Sequence, residues 1–190
     1  MKKFERVTSR VVCFSAENIN TDQIIPARFL KRIDRTGWGE FLFNDLKPAE
    51  LFALPDISQR QIMLCGPNFG SGSSREHAVW AVRDFGFRAL ISMSFADIFK
   101  ENCLKNGILT VTLDDASYQP LLQSAQKNSE NEMTVDLKEL HIAFPGASPV
   151  HFKMNSFNRT CLLEGLDEMG YIMKHELQIQ AFEKSPEVGP

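Results

Sequence analysis

One stretch near the middle of the chain constrains the fold more than any other, a glycine- and serine-rich loop over residues 66–77. It follows a short apolar run at 61–65, which has the length of a β-strand, and precedes residues 78–85, which have the pattern of a helix ended by Gly86. The loop is therefore predicted to join a strand to a helix. Its three glycines within seven residues allow positive φ and close approach by another molecule.

The side chains of this loop indicate an anion-binding site. Ser73 and Ser74 stand where N-cap residues belong, so the free amide groups of the first helical turn would point into the loop. A cation in the first turn opposes the helix dipole, yet Arg75 could there hold a carboxylate or phosphate with two hydrogen bonds. A purely structural interpretation stays open, in which the glycines build a turn and the serines only cap a helix.

The loop differs from two common phosphate-binding loops. A Walker A loop has Lys-Ser or Lys-Thr after its last glycine, where this chain has Ser73-Ser74-Arg75. A dinucleotide fingerprint has glycine or alanine where Arg75 stands, because the helix packs tightly on the strand there. The sequence therefore argues against a nucleotide site of either kind.

Composition bounds the class of protein. The 190 residues, 43% of them hydrophobic, suffice for one core and predict a single domain over 1–190. The net charge of −3 gives no field that would attract nucleic acid. The sequence contains no run of about 18 apolar residues, so it predicts no membrane span. The first six residues, Met1 to Arg6, lead into no apolar signal region, which predicts a cytoplasmic protein.

The cysteines and histidines predict no metal site in this chain. Four cysteines are spread singly, without Cys-x-x-Cys spacing, and the four histidines do not cluster. An even number of cysteines permits two disulfides, but a cytoplasmic chain keeps its thiols reduced. We expect free, buried thiols at Cys13, Cys65, Cys103 and Cys161.

The hydrophobic pattern alternates strands with helices and predicts an α/β fold, a mixed central sheet flanked by helices. Strands are expected at 11–14, 61–65, 89–93, 108–113, 133–137 and 150–154, the last two around a turn at Pro145-Gly146. Helices are expected at 78–85, 95–106, 115–127, 155–164 and 167–184, with Pro120 tolerated in a first turn. Residues 18–22 indicate a turn, which Thr21 and Asp22 could simply cap.

The loop and its flanking motifs carry a resemblance. Residues 69–78 (FGSGSSREHA), with SFADIF at 94–99, NCLKNG at 102–107, NINTDQIIP at 18–26, RTGWG at 35–39 and CLLEGLD at 161–167, resemble the swivelling domain of the aconitase-type hydro-lyases. Within that family the chain is most similar to the separate small subunits of bacterial isopropylmalate dehydratases. The resemblance covers nearly the whole chain and implies a swivelling β/β/α domain with C-terminal helices.

The resemblance also implies roles for individual residues. Ser73 would act as the catalytic base, Ser74 and Arg75 would hold a substrate carboxylate, and Thr21 and Asp22 would line the same cleft. A second loop would select the substrate's apolar side group through Ile33, Thr36, Gly37 and Trp38. Support of the anion loop would come from Gly70, Gly72, Glu76 and His77.

A partner follows from the same resemblance. Members of the family use a [4Fe-4S] cluster held by cysteines of a large subunit, so this chain would bind no cofactor itself and would supply half of an active site. The implied reaction interconverts 2-isopropylmalate and 3-isopropylmalate through 2-isopropylmaleate, in leucine biosynthesis. Two alternatives stay open: a small subunit acting on citraconate, methylmalate or homoaconitate, and a non-catalytic anion-binding module.

Two positions depart from the family's pattern. Ser71 stands where relatives often have cysteine, a change that we treat as neutral because no cluster ligand is needed there. Asn158-Arg159-Thr160 occupies a position that is usually richer in basic residues. The departure leaves open whether these residues contact a partner or substrate.

Overall fold

A computed structural model of the chain describes residues 1–31, 34 and 36–183. Within these residues, seven strands form one sheet: β1 (Arg6–Phe14), β2 (Ile62–Cys65), β3 (Ala89–Ser92), β4 (Leu109–Thr112), β5 (Glu132–Asp136), β6 (His141–Ala143) and β7 (Val150–His151). The α-helices are α1 (Thr21–Ile24), α2 (Ala49–Phe52), α3 (Glu76–Phe85), α4 (Asp97–Lys105), α5 (Asp115–Lys127), α6 (Ser156–Glu164), α7 (Glu168–Lys174) and α8 (Glu176–Glu183). Short 3-10 helices cover Ala27–Lys31, Trp38–Phe41 and Ile57–Gln59.

The sheet is mixed, and β1 is the strand that joins its two halves. Residues 11–14 of β1 pair in parallel with β2, which is followed outward by β3 and β4, also parallel. Residues 6–10 of β1 pair antiparallel with β5, which continues through β6 to β7. The α/β class, the mixed sheet and the C-terminal helices expected from the sequence are confirmed.

The core lies on both faces of the sheet because alternate residues of a strand point to opposite sides. Ile62 and Leu64 of β2 face one cluster, which is covered by Tyr118, Leu121 and Ala125 of α5. Met63 and Cys65 face the other, which is covered by α3 and α4. The parallel strands are buried on both sides, as their continuous apolar sequences predict.

Several predicted boundaries were wrong. Residues 18–22 do not form a simple turn, since α1 begins at Thr21 and Asn20 is its N-cap residue. The strand β6 was missed, and β7 ends at His151 rather than continuing to residue 154. The predicted helix over 167–184 is two helices that separate at His175, and Lys184 lies outside the described residues. Pro120 lies in the second turn of α5, not the first.

A buried arginine joins the sheet to the segment that precedes β2. Arg60 is 2% exposed, and its Nη1 donates to the Val11 carbonyl over 2.7 Å while its Nε donates to Asp56 over 3.0 Å. Arg10 donates to the second Asp56 oxygen over 2.8 Å. These hydrogen bonds, from Arg60 first and then from Arg10, lower the pKa of the Asp56 carboxyl below its ordinary value.

No described helix combines the length and the apolar character that a membrane crossing requires.

Candidate functional site

Three loops meet at one edge of the sheet. Because β1, β2 and β3 are parallel neighbours, the loops that follow them leave from the same edge. These loops contain three of the motifs singled out in the sequence: residues 18–22 after β1, 66–75 after β2 and 94–96 after β3. The topology therefore brings together segments that are distant in the sequence.

Backbone hydrogen bonds fix the three loops to one another. The Gly70 amide donates to the Ile19 carbonyl over 2.7 Å, and the Thr21 amide donates to the Ser71 carbonyl over 2.9 Å. On the other side, the Ala96 amide donates to the Phe69 carbonyl over 3.1 Å. The glycine-rich loop thus lies between the other two and has its main chain paired with both.

Two glycines of this loop are required by its geometry, for different reasons. Gly70 has φ +80°, and a Cβ at this position would lie 2.2 Å from Cγ of Phe99. Gly72 has φ +89°, but the nearest heavy atom to its Cβ position, Cβ of Asn20, is 3.4 Å away. Close packing therefore excludes a side chain at Gly70, whereas at Gly72 the backbone conformation alone disfavours one.

A cleft of about 240 Å³ opens between the loops. One wall consists of Thr21 and of residues 72–75, which include Ser73, Ser74 and Arg75. The opposite wall consists of the start of α4 and of Asn102 further along the same helix. A larger cavity of about 570 Å³ lies between α4, α6 and α7, but none of the predicted site residues that the structure describes lines it.

Thr21 holds the glycine-rich loop near Ser73. Its side chain is almost fully buried, at 2% exposed, and its Oγ1 donates to the Ser73 carbonyl over 2.9 Å. The Thr21 and Ser73 hydroxyl oxygens are 3.4 Å apart. Thr21 therefore does not cap the turn; the cap is Asn20, whose side chain accepts from the Gln23 amide.

Arg75 and Asp22 face each other across the cleft edge and form an ion pair. Their side chains are 21% and 54% exposed, respectively. Arg75 lines the cleft, whereas Asp22, which was expected to line it, does not. Asp22 is the only acidic partner of Arg75 among the residues that the structure describes. The guanidinium is thus held in place while other donors on it stay accessible to an anion.

The start of α3 differs from the prediction. Ser73 and Ser74 do not cap the helix: the N-terminal flanking residue is Arg75, and no side chain bonds the first amides. Within the described chain, the Glu76 and His77 amides have no hydrogen-bond acceptor. The helix therefore begins with free donors and with Arg75 just before them, an arrangement that favours an anion.

Glu76 and His77 support the start of α3 through contacts with residues outside the cleft. Glu76 accepts a hydrogen bond from Asn106 Nδ2 over 3.0 Å, which ties the start of α3 to the end of α4. His77 packs its ring against Trp38 and Trp80, with centroids 4.9 and 4.7 Å away. Neither side chain lines the cleft.

The described residues of the loop predicted to select the substrate's side group do not line the cleft. Trp38 is 1% exposed and lies in the core, with its Nε1 donating to the Asp34 carbonyl over 2.8 Å. Thr36 and Gly37 are exposed, outside the cleft lining, and Ile33 lies outside the described residues. A role of this loop in specificity stays a prediction.

The cysteines do not form a ligand set for a cluster. All four are free thiols; Cys65, Cys103 and Cys161 are buried and Cys13 is half-buried. Burial raises the pKa of the Cys65 and Cys103 thiols well above the ordinary value and that of Cys13 to about 11. Over residues 1–31, 34 and 36–183, no group of three His, Cys, Asp or Glu side chains could hold a metal ion.

The structure shows local contacts at both departures noted in the sequence. Ser71 contributes its backbone to the bridge with Asn20, and its side chain does not need to be a thiol for that contact. Arg159 donates from Nη2 to the Lys138 carbonyl over 2.6 Å and from Nε to the Leu137 carbonyl over 3.3 Å. Its guanidinium thus ties α6 to the residues that follow β5.

The α4 wall was not assigned from the sequence. Asp97, Ile98 and Asn102 line the cleft opposite Arg75, although their motifs were noted only as part of the resemblance. A usable signal was present, since Ile98 and Asn102 are four residues apart, on one face of the helix that follows β3.

The fold and the cleft define a domain of the aconitase C-terminal class, and residues 1–116 match the family described as the aconitase C-terminal domain. Several relatives that match over nearly the whole chain are called 3-isopropylmalate dehydratase small subunit. The one from Acidobacterium capsulatum is 47% identical, over 97% of this chain and 90% of the relative. Those from Roseiflexus sp. and Agrobacterium fabrum are 43% and 42% identical, over 97% of this chain and 95% and 96% of the relatives. This chain belongs to the family of 3-isopropylmalate dehydratase small subunits.

A solved structure supports the fold. The crystal structure of 3-isopropylmalate dehydratase from Methanocaldococcus jannaschii has a TM-score of 0.68 and covers 94% of this chain and 99% of that chain. At 22% identity, this likeness concerns the fold alone. It agrees with the aconitase-type domain expected from the sequence.

Proposed function

We propose that this chain is the small subunit of a 3-isopropylmalate dehydratase, a hydro-lyase that interconverts 2-isopropylmalate and 3-isopropylmalate through 2-isopropylmaleate. The observation that carries the proposal is the cleft lined by Thr21, Ser73, Ser74 and Arg75, in a chain with relatives at 42–47% identity that bear this name. The pathway would be leucine biosynthesis, and the compartment the cytoplasm.

Arg75 is the residue that we assign to a substrate carboxylate. Its guanidinium can bond a carboxylate through two parallel hydrogen bonds, and the free amides at the start of α3 are further hydrogen-bond donors for an anion. Ser74 is exposed beside it in the cleft and can donate a further hydrogen bond. Asp22 carries the same charge as the substrate, so we assign it to holding Arg75 in position rather than to direct contact.

Ser73 is the residue that we assign to proton transfer. The reaction requires removal of a proton from the carbon next to a carboxylate, and an alkoxide is a strong enough base for that step. Donors near the start of α3 favour negative charge on the Ser73 oxygen. Thr21 fixes the Ser73 backbone by its hydrogen bond to the carbonyl, which keeps the hydroxyl directed at the cleft.

The expulsion of hydroxide requires a Lewis acid, and the residues of this chain do not fit one. Its cysteines are scattered, mostly buried, and have raised thiol pKa values. We therefore propose that a [4Fe-4S] cluster is carried by a large-subunit partner, which the relatives' description as a small subunit supports. On this proposal the present chain supplies the carboxylate-binding and proton-transfer groups, as a single domain that completes its active site only in the complex.

The test is reconstitution with a cluster-loaded large subunit under anaerobic conditions. The appearance of 2-isopropylmaleate from 3-isopropylmalate, followed by its absorbance, should require both chains. Citraconate, methylmalate and homoaconitate serve as competing substrates, and activity confined to one of them would move the specificity to a related hydro-lyase. The large subunit is first shown to be active with its native small subunit. If the complex with this chain then converts none of the substrates, only the anion-binding module would remain as an explanation.

The base assignment has a test of its own. Ser73→Ala should reduce kcat by at least about a hundredfold, because general-base catalysis contributes on the order of 10²–10⁴. Assembly and KM should stay near those of the wild type. Ser71→Ala is the matched control, since it makes the same chemical change in the same loop at a side chain outside the cleft lining. A kcat for Ser73→Ala within tenfold of the control would contradict the assignment.

A further inference from the structure

The α4 side of the cleft carries a polar group that the proposed mechanism does not use. Two polar side chains line this wall, Asp97 in the first turn of α4 and Asn102 in its second turn. Asp97 is an exposed carboxylate and would repel a dicarboxylate substrate. The Asn102 amide is neutral, and its Nδ2 offers two hydrogen-bond donors.

The Asn102 side chain has no hydrogen-bond partner among the residues that the structure describes. Its backbone carbonyl, in contrast, accepts hydrogen bonds from both the amide and Nδ2 of Asn106. The residue is half-buried, so its amide is partly withdrawn from water. Because the amide lines the cleft and no described protein group uses its donors, a molecule bound in the cleft can accept from it in place of water.

Contacts on both sides of Asn102 hold α4 against the glycine-rich loop. The Phe99 ring packs directly against the backbone of Gly70 and lies 5.6 Å from the Phe69 ring, centroid to centroid. The hydrogen bond from Asn106 to Glu76 joins the far end of α4 to the start of α3. Both contacts hold α4 against the loop that carries Ser73 and Arg75.

A dicarboxylate has two anionic groups, and Arg75 is the one cation among the described residues that line the cleft. Resting on the proposed function, we propose that Asn102 is a further substrate-binding residue, whose Nδ2 donates a hydrogen bond to a carboxylate of the substrate. Ile98 lies one turn earlier on the same helix face, 51% exposed. The α4 wall thus offers a substrate one neutral donor beside one apolar group.

The test is a comparison of Asn102→Ala and Asn102→Asp with the wild-type chain, each in complex with the large subunit. A hydrogen bond to a charged group corresponds to about a 10- to 100-fold change in binding. Asn102→Ala should therefore raise KM, and the Kd for 2-isopropylmalate measured by calorimetry, by about that factor, while kcat stays within threefold. Asn102→Asp keeps the side-chain shape and places a like charge before the substrate, so its KM should rise at least as much.

Lys100→Ala is the control on the same helix, because the Lys100 side chain reaches Thr112 and does not line the cleft. It should leave KM and kcat unchanged. A KM and Kd within twofold of the wild type for the assembled Asn102 variants would overturn the inference while the proposed function stands. If Asn102→Ala does not fold, Asn102→Asp decides alone. A wild-type complex that neither binds nor converts isopropylmalate would overturn both.

Discussion

The hydrogen bond from Thr21 to the loop of Ser73 is open to a direct test. Thr21 is 2% exposed, and its hydroxyl donates to the Ser73 carbonyl over 2.9 Å. Thr21→Val keeps the branched shape and removes the donor, so it opens no cavity. Thr21→Ser is the matched variant, because it keeps the donor and loses a methyl group.

The structure sets the size of each effect. Loss of one hydrogen bond should cost about 1 kcal/mol of folding free energy, and loss of one buried methyl about 0.8 kcal/mol. The two variants should therefore have similar stability, each with a Tm lowered by roughly 2–4 °C for a chain of this size. Their kcat values should differ, since a small displacement of a catalytic group can reduce a rate by up to about 10²-fold. We expect kcat to fall at least tenfold in Thr21→Val and less than threefold in Thr21→Ser.

The assay pairs urea unfolding of the small subunit with turnover of the reconstituted complex at saturating 3-isopropylmalate. A Thr21→Val complex with kcat within threefold of the wild type would show that the bond does not position Ser73. An equal loss of kcat in both variants would refute the reasoning differently, because it would assign the effect to packing rather than to the hydroxyl.

Two further predictions concern stability. Gly70→Ala should lower the free energy of unfolding by about 2–4 kcal/mol, because of the positive φ and the overlap of a Cβ with Phe99. Gly72→Ala should lower it by only about 1 kcal/mol. Equal losses in urea unfolding would mean that packing against Phe99 is unimportant. The pKa of Asp56 is lowered in the folded chain. Its ion pairs therefore stabilise the fold at pH values above the unfolded-state pKa of about 3.9. This stabilisation is lost as the pH falls through the folded-state pKa. Asp56→Asn should therefore unfold at lower temperature than the wild type at pH 7, with a difference that shrinks by pH 3; a difference independent of pH would contradict the ion-pair explanation.

Much of the architecture could be predicted because the parallel strands are continuous apolar runs separated by regular helices. Strands β2, β3 and β4 and helices α3, α4 and α5 were all located, with ends shifted by up to two residues. The short elements were missed or misplaced for a physical reason. Strands of two or three residues such as β6 and β7 have too few residues to display alternation, and their pairing depends on tertiary contacts.

The sequence selected candidate site residues, but it could not predict their geometry. The loop over 66–77 predicts an anion site, but the N-cap was expected at Ser73 or Ser74 and is Arg75, because serine is a common cap and arginine an uncommon one. The helical pattern was recognised only from residue 78, whereas α3 begins at Glu76. The pairing of Arg75 with Asp22 joins residues 53 positions apart, which no local pattern reveals. Trp38 was assigned to the specificity loop by resemblance alone; its indole lies in the core against His77, and its role in specificity stays a prediction.

The hydrogen bonds that tie the three loops together have a consequence for the order of folding. The bonds between Gly70 and Ile19 and between Thr21 and Ser71 close loops of about fifty residues, and such long-range contacts form only after the entropy of loop closure has been overcome. The cleft therefore cannot exist in a chain whose strands β1, β2 and β3 have not yet paired. A partly folded chain would have secondary structure and no anion site, so a partner that recognises the assembled cleft would select fully folded subunits.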